Sequence, residues 1–213
     1  GFDYSMVLPG QGTYYNPDFL IDGKKIRIEG YVTDIITDTM MDWLKNKRDP
    51  NKPFCALYHQ KAPHRNWEPA PEYLTLYDDV TFEPPANYYD DYETRGRAAR
   101  EQEMEVDGHA DWGIDFKMLK DPDGKETVLY DWYLSRFNEK QLADWKAAYT
   151  PKNDAMKAAK LEGKDLAKWK YNRYIKDYLR TIKSVDDGVG EVLDYLEETG
   201  LADNTIIVYT SDQ

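Results

Sequence analysis

Apolar residues recur at helical spacing in two parts of the chain. Between residues 33 and 48 the period is that of an amphipathic helix, with Thr33 or Asp34 available as an N-terminal cap and basic residues near the other end. A longer pattern runs from Tyr171 to Thr199. Gly200 follows it and predicts the stop, because glycine tolerates the left-handed conformation at a helix C-terminus. The predicted apolar face of this second helix comprises Tyr174, Ile175, Tyr178, Leu179, Ile182, Val185, Val189, Val192, Leu193 and Leu196.

Two short apolar runs follow these helices and lack the alternation of a half-exposed strand. They are Phe54–Tyr58 and Thr205–Tyr209. Unbroken apolar runs of this length are typical of strands that are buried on both faces of a parallel sheet. The helix-strand, helix-strand order predicts an α/β fold with a mostly parallel sheet flanked by helices. In that fold Cys55 is an unreactive core residue, and His59 is buried at the end of its strand.

The rest of the chain carries turn and loop signals. Residues 1–30 predict a loop with a short hairpin at Asp22–Gly23, and five prolines between residues 59 and 87 predict another long loop. Residues 94–104 favour a helix, and 107–170 have the pattern of an insertion with short helices. Gly188 and Gly190 predict a bend or a close contact in the long helix. A chain of 213 residues is long enough for one domain or a large part of one.

The net charge of the chain limits the classes of molecule that it is expected to bind. The sequence has 28 basic and 40 acidic residues, a formal net charge of -12, which argues against a nucleic-acid partner. An anionic substrate therefore requires a local cluster of cations or a metal. The single cysteine excludes an internal disulfide, and no apolar run is long enough to span a bilayer. The 18 tyrosines and 6 tryptophans suit either core packing or stacking on sugars.

Polar chemistry concentrates where the two predicted strands end. Lys61, His64 and Arg65 follow the first strand and form a local cationic group suited to an oxyanion. Histidines titrate near neutral pH, so His64 is able to donate to the oxyanion or to protonate a leaving oxygen. A loop histidine that bonds only to backbone is the simpler alternative, which the two neighbouring cations disfavour. His109 is expected to be an ordinary surface histidine.

Asp212 and Gln213 follow the second strand. Their carboxylate and amide oxygens suit calcium or magnesium, although such an ion needs about six oxygen ligands and a simple Asx turn is an alternative. The pair Asp186–Asp187 on the long helix is expected to be solvated or to pack against another helix.

The motifs resemble those of type I sulfatases, which belong to the alkaline-phosphatase-like superfamily, and in particular bacterial enzymes that act on sulfated glycans. The resemblance rests on the opening segment 1–12, on Lys-Ala-Pro-His-Arg at 61–65, on the run 184–190 and on residues 200–213. It implies that His64 contacts the sulfate and assists the leaving alcohol, that Lys61 and Arg65 lie near the substrate, and that Asp212 and Gln213 bind Ca²⁺, with Gln213 in a position where many relatives have Asn.

The family's nucleophile is a formylglycine made from a Cys or Ser in a Cys/Ser-x-Pro/Ala-x-Arg motif, which this sequence lacks. The expectation is therefore a partial catalytic domain, residues 1–213, without the nucleophile segment and the C-terminal subdomain, inactive alone and weak in calcium binding. The resemblance also implies a sulfated saccharide substrate and a periplasmic or secreted location. Two alternatives are a phosphodiesterase or phosphonate hydrolase of the same superfamily, and a non-catalytic glycan-binding module.

Overall fold

The computed structural model describes residues 1–211. Its sheet is antiparallel, with strand order β1-β2-β3, and lies near the N-terminus. The strands are β1 (Met6–Val7), β2 (Asp18–Ile21) and β3 (Lys24–Arg27). The helices are α1 (Val32–Asp42), α2 (Arg97–Arg100), α3 (Leu129–Trp132), α4 (Glu139–Ala159) and α5 (Gly163–Glu198). Short 3-10 turns occur at Pro71–Tyr73, Ala86–Tyr89, Leu134–Arg136 and Ala202–Asn204.

The predicted hairpin is confirmed. Asp22 and Gly23 join β2 to β3, and their φ angles of 49° and 75° are both left-handed. A two-residue turn with two positive φ angles matches the right-handed twist of the strands, which is why the Asp-Gly pair identified it.

The first predicted helix is also confirmed, as α1 continued by a π-helical turn at Trp43–Lys47. Its predicted cap is wrong. The N-cap position is Tyr31, whose side chain makes no capping bond, while Thr33 and Asp34 lie inside the first turn. The phenol of Tyr31 instead reaches into the core, where its hydroxyl donates to the carbonyl of Glu68 at 2.9 Å.

The long helix α5 begins eight residues before the predicted start, and Gly200 ends it with a φ of +70° as predicted. The predicted apolar face is not the buried face. The side chains that α5 buries are mostly polar: Ala167, Arg173, Asp177, Arg180, Thr181, Ser184, Gly188 and Leu196. Several of these polar groups bond to one another and to neighbouring loops, as where Arg180 donates to Asp177 at 2.8 Å and to the carbonyl of Leu76 at 2.7 Å.

Helix α4 is a regular helix of 21 residues, longer than the short helices predicted between 107 and 170. Its start carries a capping box that sequence reasoning overlooked. The Asn138 side chain accepts from the backbone of Gln141 at 2.8 Å, and the Gln141 side chain accepts from the backbone of Asn138 at 2.9 Å. The helix buries Trp145 and Tyr149, and Tyr149 donates to Asp177 of α5 at 2.7 Å.

The two predicted strands are not strands in the described part of the chain. Residues 54–58 and 205–209 have no strand partner among residues 1–211, and Leu57 and Ile206 are 58% and 94% exposed. Cys55 is exposed rather than buried in a core, and His59 is exposed as well. An apolar run pairs only when another strand lies beside it to complete its hydrogen bonds, and none of the described strands does.

Gly188 confirms the predicted close contact. A Cβ at this position would overlap Oγ1 of Thr37 on α1 and would lie 2.7 Å from the hydroxyl of Tyr58. Gly190 has open space around it. The absence of a side chain at Gly188 therefore lets α1 and α5 approach each other. Within residues 1–211, no helix has the length and apolarity needed to cross a membrane.

Candidate functional site

The predicted cationic residues lie in one loop, residues 61–69, which the rest of the chain fixes by its backbone. Three tyrosines from the N-terminal part are buried beneath it. Their hydroxyls donate to loop carbonyls: Tyr14 to His64 at 2.6 Å, Tyr15 to Pro69 at 2.6 Å and Tyr31 to Glu68 at 2.9 Å. Burial raises the pKa of all three phenols, so they remain protonated donors.

Lys61 lies at the start of this loop. Its ammonium is 4.7 Å from the ring centre of Tyr14, a cation-π contact. Burial lowers the pKa of Lys61 to about 8. The ammonium is therefore mostly protonated at neutral pH, but it loses its proton at a lower pH than a surface lysine does. Such an ammonium is able to pair with an anion that enters the loop.

His64 is exposed, and its ring has a defined orientation. Its Nδ1 lies within hydrogen-bonding distance of the carbonyl oxygen of Arg65. A carbonyl only accepts, so Nδ1 is the donor and carries a proton. In the neutral ring Nε2 is therefore the unprotonated nitrogen, and in the charged ring Nε2 carries the second proton. This arrangement suits a histidine that exchanges a proton with a ligand through Nε2.

Arg65 is engaged more closely than the sequence indicated. Its Nε and Nη2 donate to the two carboxylate oxygens of Asp115, both at 2.6 Å. These bonds raise the pKa of Arg65. The carboxylate offsets the charge of Arg65, so the loop is less cationic than Lys61, His64 and Arg65 predict together.

A second layer of buried polar residues supports the loop from below. Asn66 donates to Glu68 at 2.7 Å, and the ammonium of Lys117 donates to the carbonyl of Asn66 at 2.6 Å. Lys117 is also 3.9 Å from a Glu68 oxygen. Burial raises the pKa of Glu68 to about 7, and Lys117 opposes that shift. Sequence reasoning missed Asp115, Lys117 and Glu68, because single charged residues in an irregular segment carry no periodic or motif signal.

An aromatic group borders the same loop. The Trp67 ring makes edge contacts with Tyr174 and Tyr178 of α5, with ring centres 4.9 Å and 6.4 Å apart. Its indole N–H donates to the carbonyl of Pro63 at 2.7 Å. All three rings are partly exposed. They form an apolar face at the loop that carries His64, of the kind on which sugar rings stack.

A separate cleft between α1 and α5 has the opposite character. Its lining includes the carboxylates of Asp34, Asp38, Glu72, Asp187 and Glu191. Burial and these neighbouring carboxylates raise the pKa of Asp34 to about 6. A cleft with this many carboxylates repels an anionic ligand, so it is a poor candidate for an oxyanion site.

The predicted metal ligands Asp212 and Gln213 lie outside the described residues. Within residues 1–211, no group of three or more His, Cys, Asp or Glu side chains is arranged to hold a metal ion. Of the other candidates, His109 is on the surface near Glu105, as predicted. Asp186 is solvated, while Asp187 accepts hydrogen bonds from Tyr73 and Lys183, which matches the prediction of solvation or packing.

A family model described as "Sulfatase" matches residues 1–213. The chain belongs to the sulfatase family. An N-acetylglucosamine-6-O-sulfatase of Bacteroides thetaiotaomicron is 48% identical over 222 residues, covering 100% of this chain and 39% of the relative. The human N-acetylglucosamine-6-sulfatase is 25% identical over 219 residues, covering 100% of this chain and 29% of the relative. The sulfatase chain thus spans well under half the length of these relatives.

A solved structure agrees with the family. It is a protein in complex with D-glucosamine-2-N,6-O-disulfate, described as its substrate, and it matches this sulfatase chain with a TM-score of 0.91 and 47% identity. The match covers 100% of this chain and 44% of the other. The fold is therefore the α/β, alkaline-phosphatase-like fold of sulfatases, as the motifs indicated.

Proposed function

We propose that this chain is the middle part of a longer carbohydrate sulfatase that hydrolyses the 6-O-sulfate ester of glucosamine-type sugars. The 48% identity to an N-acetylglucosamine-6-O-sulfatase over the whole chain supports this substrate class. The observation that carries the proposal is the loop 61–69, which holds an exposed imidazole with a fixed Nδ1 contact and, three positions earlier, a partly buried ammonium. The chain supplies one wall of the active site.

His64 and Lys61 have separate roles in this proposal. Lys61 pairs with a sulfate oxygen and attracts the anion, which the net charge of -12 otherwise repels. His64, protonated at both nitrogens, gives the proton on Nε2 to the leaving sugar oxygen as the bond between sulfur and that oxygen breaks. The contact from Nδ1 to the Arg65 carbonyl holds the ring in place during this transfer. The rings of Trp67 and Tyr174 provide a stacking face for the sugar.

The remaining groups of the active site are part of the proposal. A formylglycine hydrate from another segment of the longer protein is the nucleophile that attacks sulfur. Asp212 and Gln213 contribute oxygen ligands to Ca²⁺, a hard cation that stabilises negative charge on sulfate oxygens when bound. Among residues 1–211, no group of three or more His, Cys, Asp or Glu side chains is arranged to hold a metal ion. Chain 1–213 alone is therefore expected to bind calcium weakly. We place the longer enzyme in the periplasm or outside the cell, where sulfated glycans are met.

The test is release of inorganic sulfate from N-acetylglucosamine-6-sulfate by the full-length enzyme. His64→Ala should lower kcat by about 10²- to 10⁴-fold, the usual contribution of a general acid. His109→Ala, on an exposed histidine outside the loop, is the matched control and should leave kcat unchanged. Chelation of calcium should abolish turnover, and chain 1–213 alone should show none. Hydrolysis of an aryl phosphodiester without hydrolysis of the sulfate ester would replace this proposal with the phosphodiesterase alternative.

A further inference from the structure

The charged pair between Arg65 and Asp115 joins two distant parts of the chain at the edge of the loop 61–69. Arg65 is half exposed, with 50% of its side chain accessible, whereas the Asp115 side chain is 4% accessible. Arg65 is therefore accessible to a ligand from solvent, whereas Asp115 belongs to the interior. An exposed arginine on a buried carboxylate is held in one orientation, since Nε and Nη2 are both bound at 2.6 Å.

Asp115 is itself fixed by its surroundings. The same carboxylate accepts the backbone N–H of Asp111 at 2.7 Å. The next three residues, Phe116, Lys117 and Met118, are buried with no measurable exposure. The ammonium of Lys117 donates to the carbonyls of Asn66 and Ile114, at 2.6 Å and 2.8 Å. The segment 111–118 is thus bonded to the loop 61–69 at two adjacent residues. Asp115 binds the side chain of Arg65, and Lys117 binds the backbone carbonyl of Asn66.

The bidentate contact determines which N–H donors of Arg65 remain free to bind a ligand. A guanidinium has five N–H donors, and two of them are used by Asp115. The remaining three lie on Nη1 and on the outer side of Nη2. Because the carboxylate compensates the charge, these donors supply direction rather than net attraction for an anion. They suit a neutral oxygen of the sugar, such as a hydroxyl or an amide carbonyl.

We propose that Asp115 is a positioning residue that holds Arg65 to recognise a neutral oxygen of the sugar, while Lys61 and His64 engage the sulfate. This inference rests on the proposed sulfatase function. It deepens that function by assigning recognition of the sugar and recognition of the sulfate to different residues. Preorganised donors of this kind increase specificity because the side chain loses no further conformational entropy when the ligand binds.

The experiment measures steady-state kinetics of the full-length enzyme with N-acetylglucosamine-6-sulfate. Asp115→Asn removes the charged bidentate contact and should raise KM by about 10- to 100-fold, a loss like that seen when a group that orients a metal ligand is removed. Competitive inhibition by inorganic sulfate should not weaken, because Arg65 does not hold the sulfate. Asp111→Asn is the matched control, since it disturbs the same segment and leaves the bidentate contact in place.

A double-mutant cycle separates positioning from a merely structural role. In an Arg65→Ala background, Asp115→Asn should change KM by less than about twofold, because its effect passes through Arg65. Additive effects would overturn the inference, and so would equal weakening of sulfate inhibition and of sugar binding. A wild-type enzyme that releases no sulfate would instead refute the proposed function itself. The two failures are distinguishable, because this one is seen in the wild type and the other only in the variants.

Discussion

The loop 61–69 and the apolar segments 54–58 and 205–209 differ in how the described chain supports them. The loop is polar in sequence, yet buried tyrosines, Asp115 and Lys117 bind its backbone or side chains. The apolar segments have the composition of a core, yet Ile206 and Val208 are 94% and 78% exposed. Order in the loop arises from hydrogen bonds within residues 1–211, whereas burial of the apolar segments requires partners beyond them. The coverage of only 39% and 44% of the two similar proteins is consistent with this difference.

The largest expected effect is at the buried side of the loop. Lys117→Met in the full-length enzyme should lower the free energy of unfolding by about 3–5 kcal/mol, because Glu68 and the carbonyl of Asn66 lose the buried ammonium that they share. The loss should be larger at pH 8 than at pH 5, because burial raises the pKa of Glu68 to about 7 and the carboxyl is neutral at the lower pH. Urea unfolding at both pH values measures it.

The matched control for that prediction is Lys120→Met. Lys120 pairs with Glu126, but its side chain is 54% exposed, so its replacement should leave the free energy of unfolding nearly unchanged. Equal losses for the two lysines would show that the buried layer does not hold the loop.

The second prediction concerns the apolar segments. If residues 205–209 form a buried strand in the full-length enzyme, Ile206→Ala should cost about 2–5 kcal/mol of unfolding free energy, the usual range for a core truncation. Met104→Ala is the control, since Met104 is 88% exposed in an irregular segment and its truncation should cost less than about 0.5 kcal/mol. A loss at Ile206 as small as at Met104, measured by urea unfolding, would contradict burial of this segment.

The same contrast explains how much the sequence predicted. Local signals succeeded: the Asp-Gly pair identified the hairpin, helical periodicity identified α1 and α5, and the motif at 61–65 located the loop that carries His64. Signals that need a partner failed. An apolar run does not specify which strand pairs with it, and so the prediction of a buried strand at 54–58 is wrong for residues 1–211.

The buried polar residues failed for a related reason. Periodicity predicted that α5 packs by its apolar residues, but the helix buries Arg173, Asp177 and Arg180. Their partners lie in other segments, Tyr149 and Asn153 on α4 and Asp78 in a loop. The support of the site by Asp115 and Lys117 is equally invisible in sequence. A pair such as Arg65 and Asp115 is separated by 50 positions, and only the fold brings the two together.

A third prediction tests the contact that links segment 54–58 to the helices. Gly188→Ala should destabilise the enzyme by about 1–3 kcal/mol, because the new methyl group overlaps Thr37 and crowds the hydroxyl of Tyr58. Gly190→Ala is the control on the same helix. Its methyl group meets open space, and alanine has the better helix propensity, so stability should rise by up to about 1 kcal/mol. Thermal unfolding of both variants gives the comparison, and a shared sign would count against close packing at Gly188.

The smallest expected effect is a pH dependence of substrate binding through Lys61. Because burial lowers the pKa of Lys61 to about 8, the ammonium is lost as the pH rises through that value. KM for the sulfated sugar should rise by about tenfold between pH 7 and 9, since a charge-assisted hydrogen bond contributes about 1.5–3 kcal/mol. Lys61→Arg should flatten the profile, because a guanidinium keeps its charge throughout this range.

The contribution of Lys61 to stability changes in the opposite direction as the pH rises, so this contribution does not account for weaker binding. Between about pH 8 and the ordinary lysine pKa of 10.5, Lys61 is protonated in the unfolded chain but largely neutral in the folded one. The unfolded state then binds more protons, and the contribution of Lys61 to the unfolding free energy increases with pH. A KM that rises while this contribution strengthens identifies loss of the sulfate-binding charge. A KM that is independent of pH in the wild type would remove Lys61 from the sulfate site.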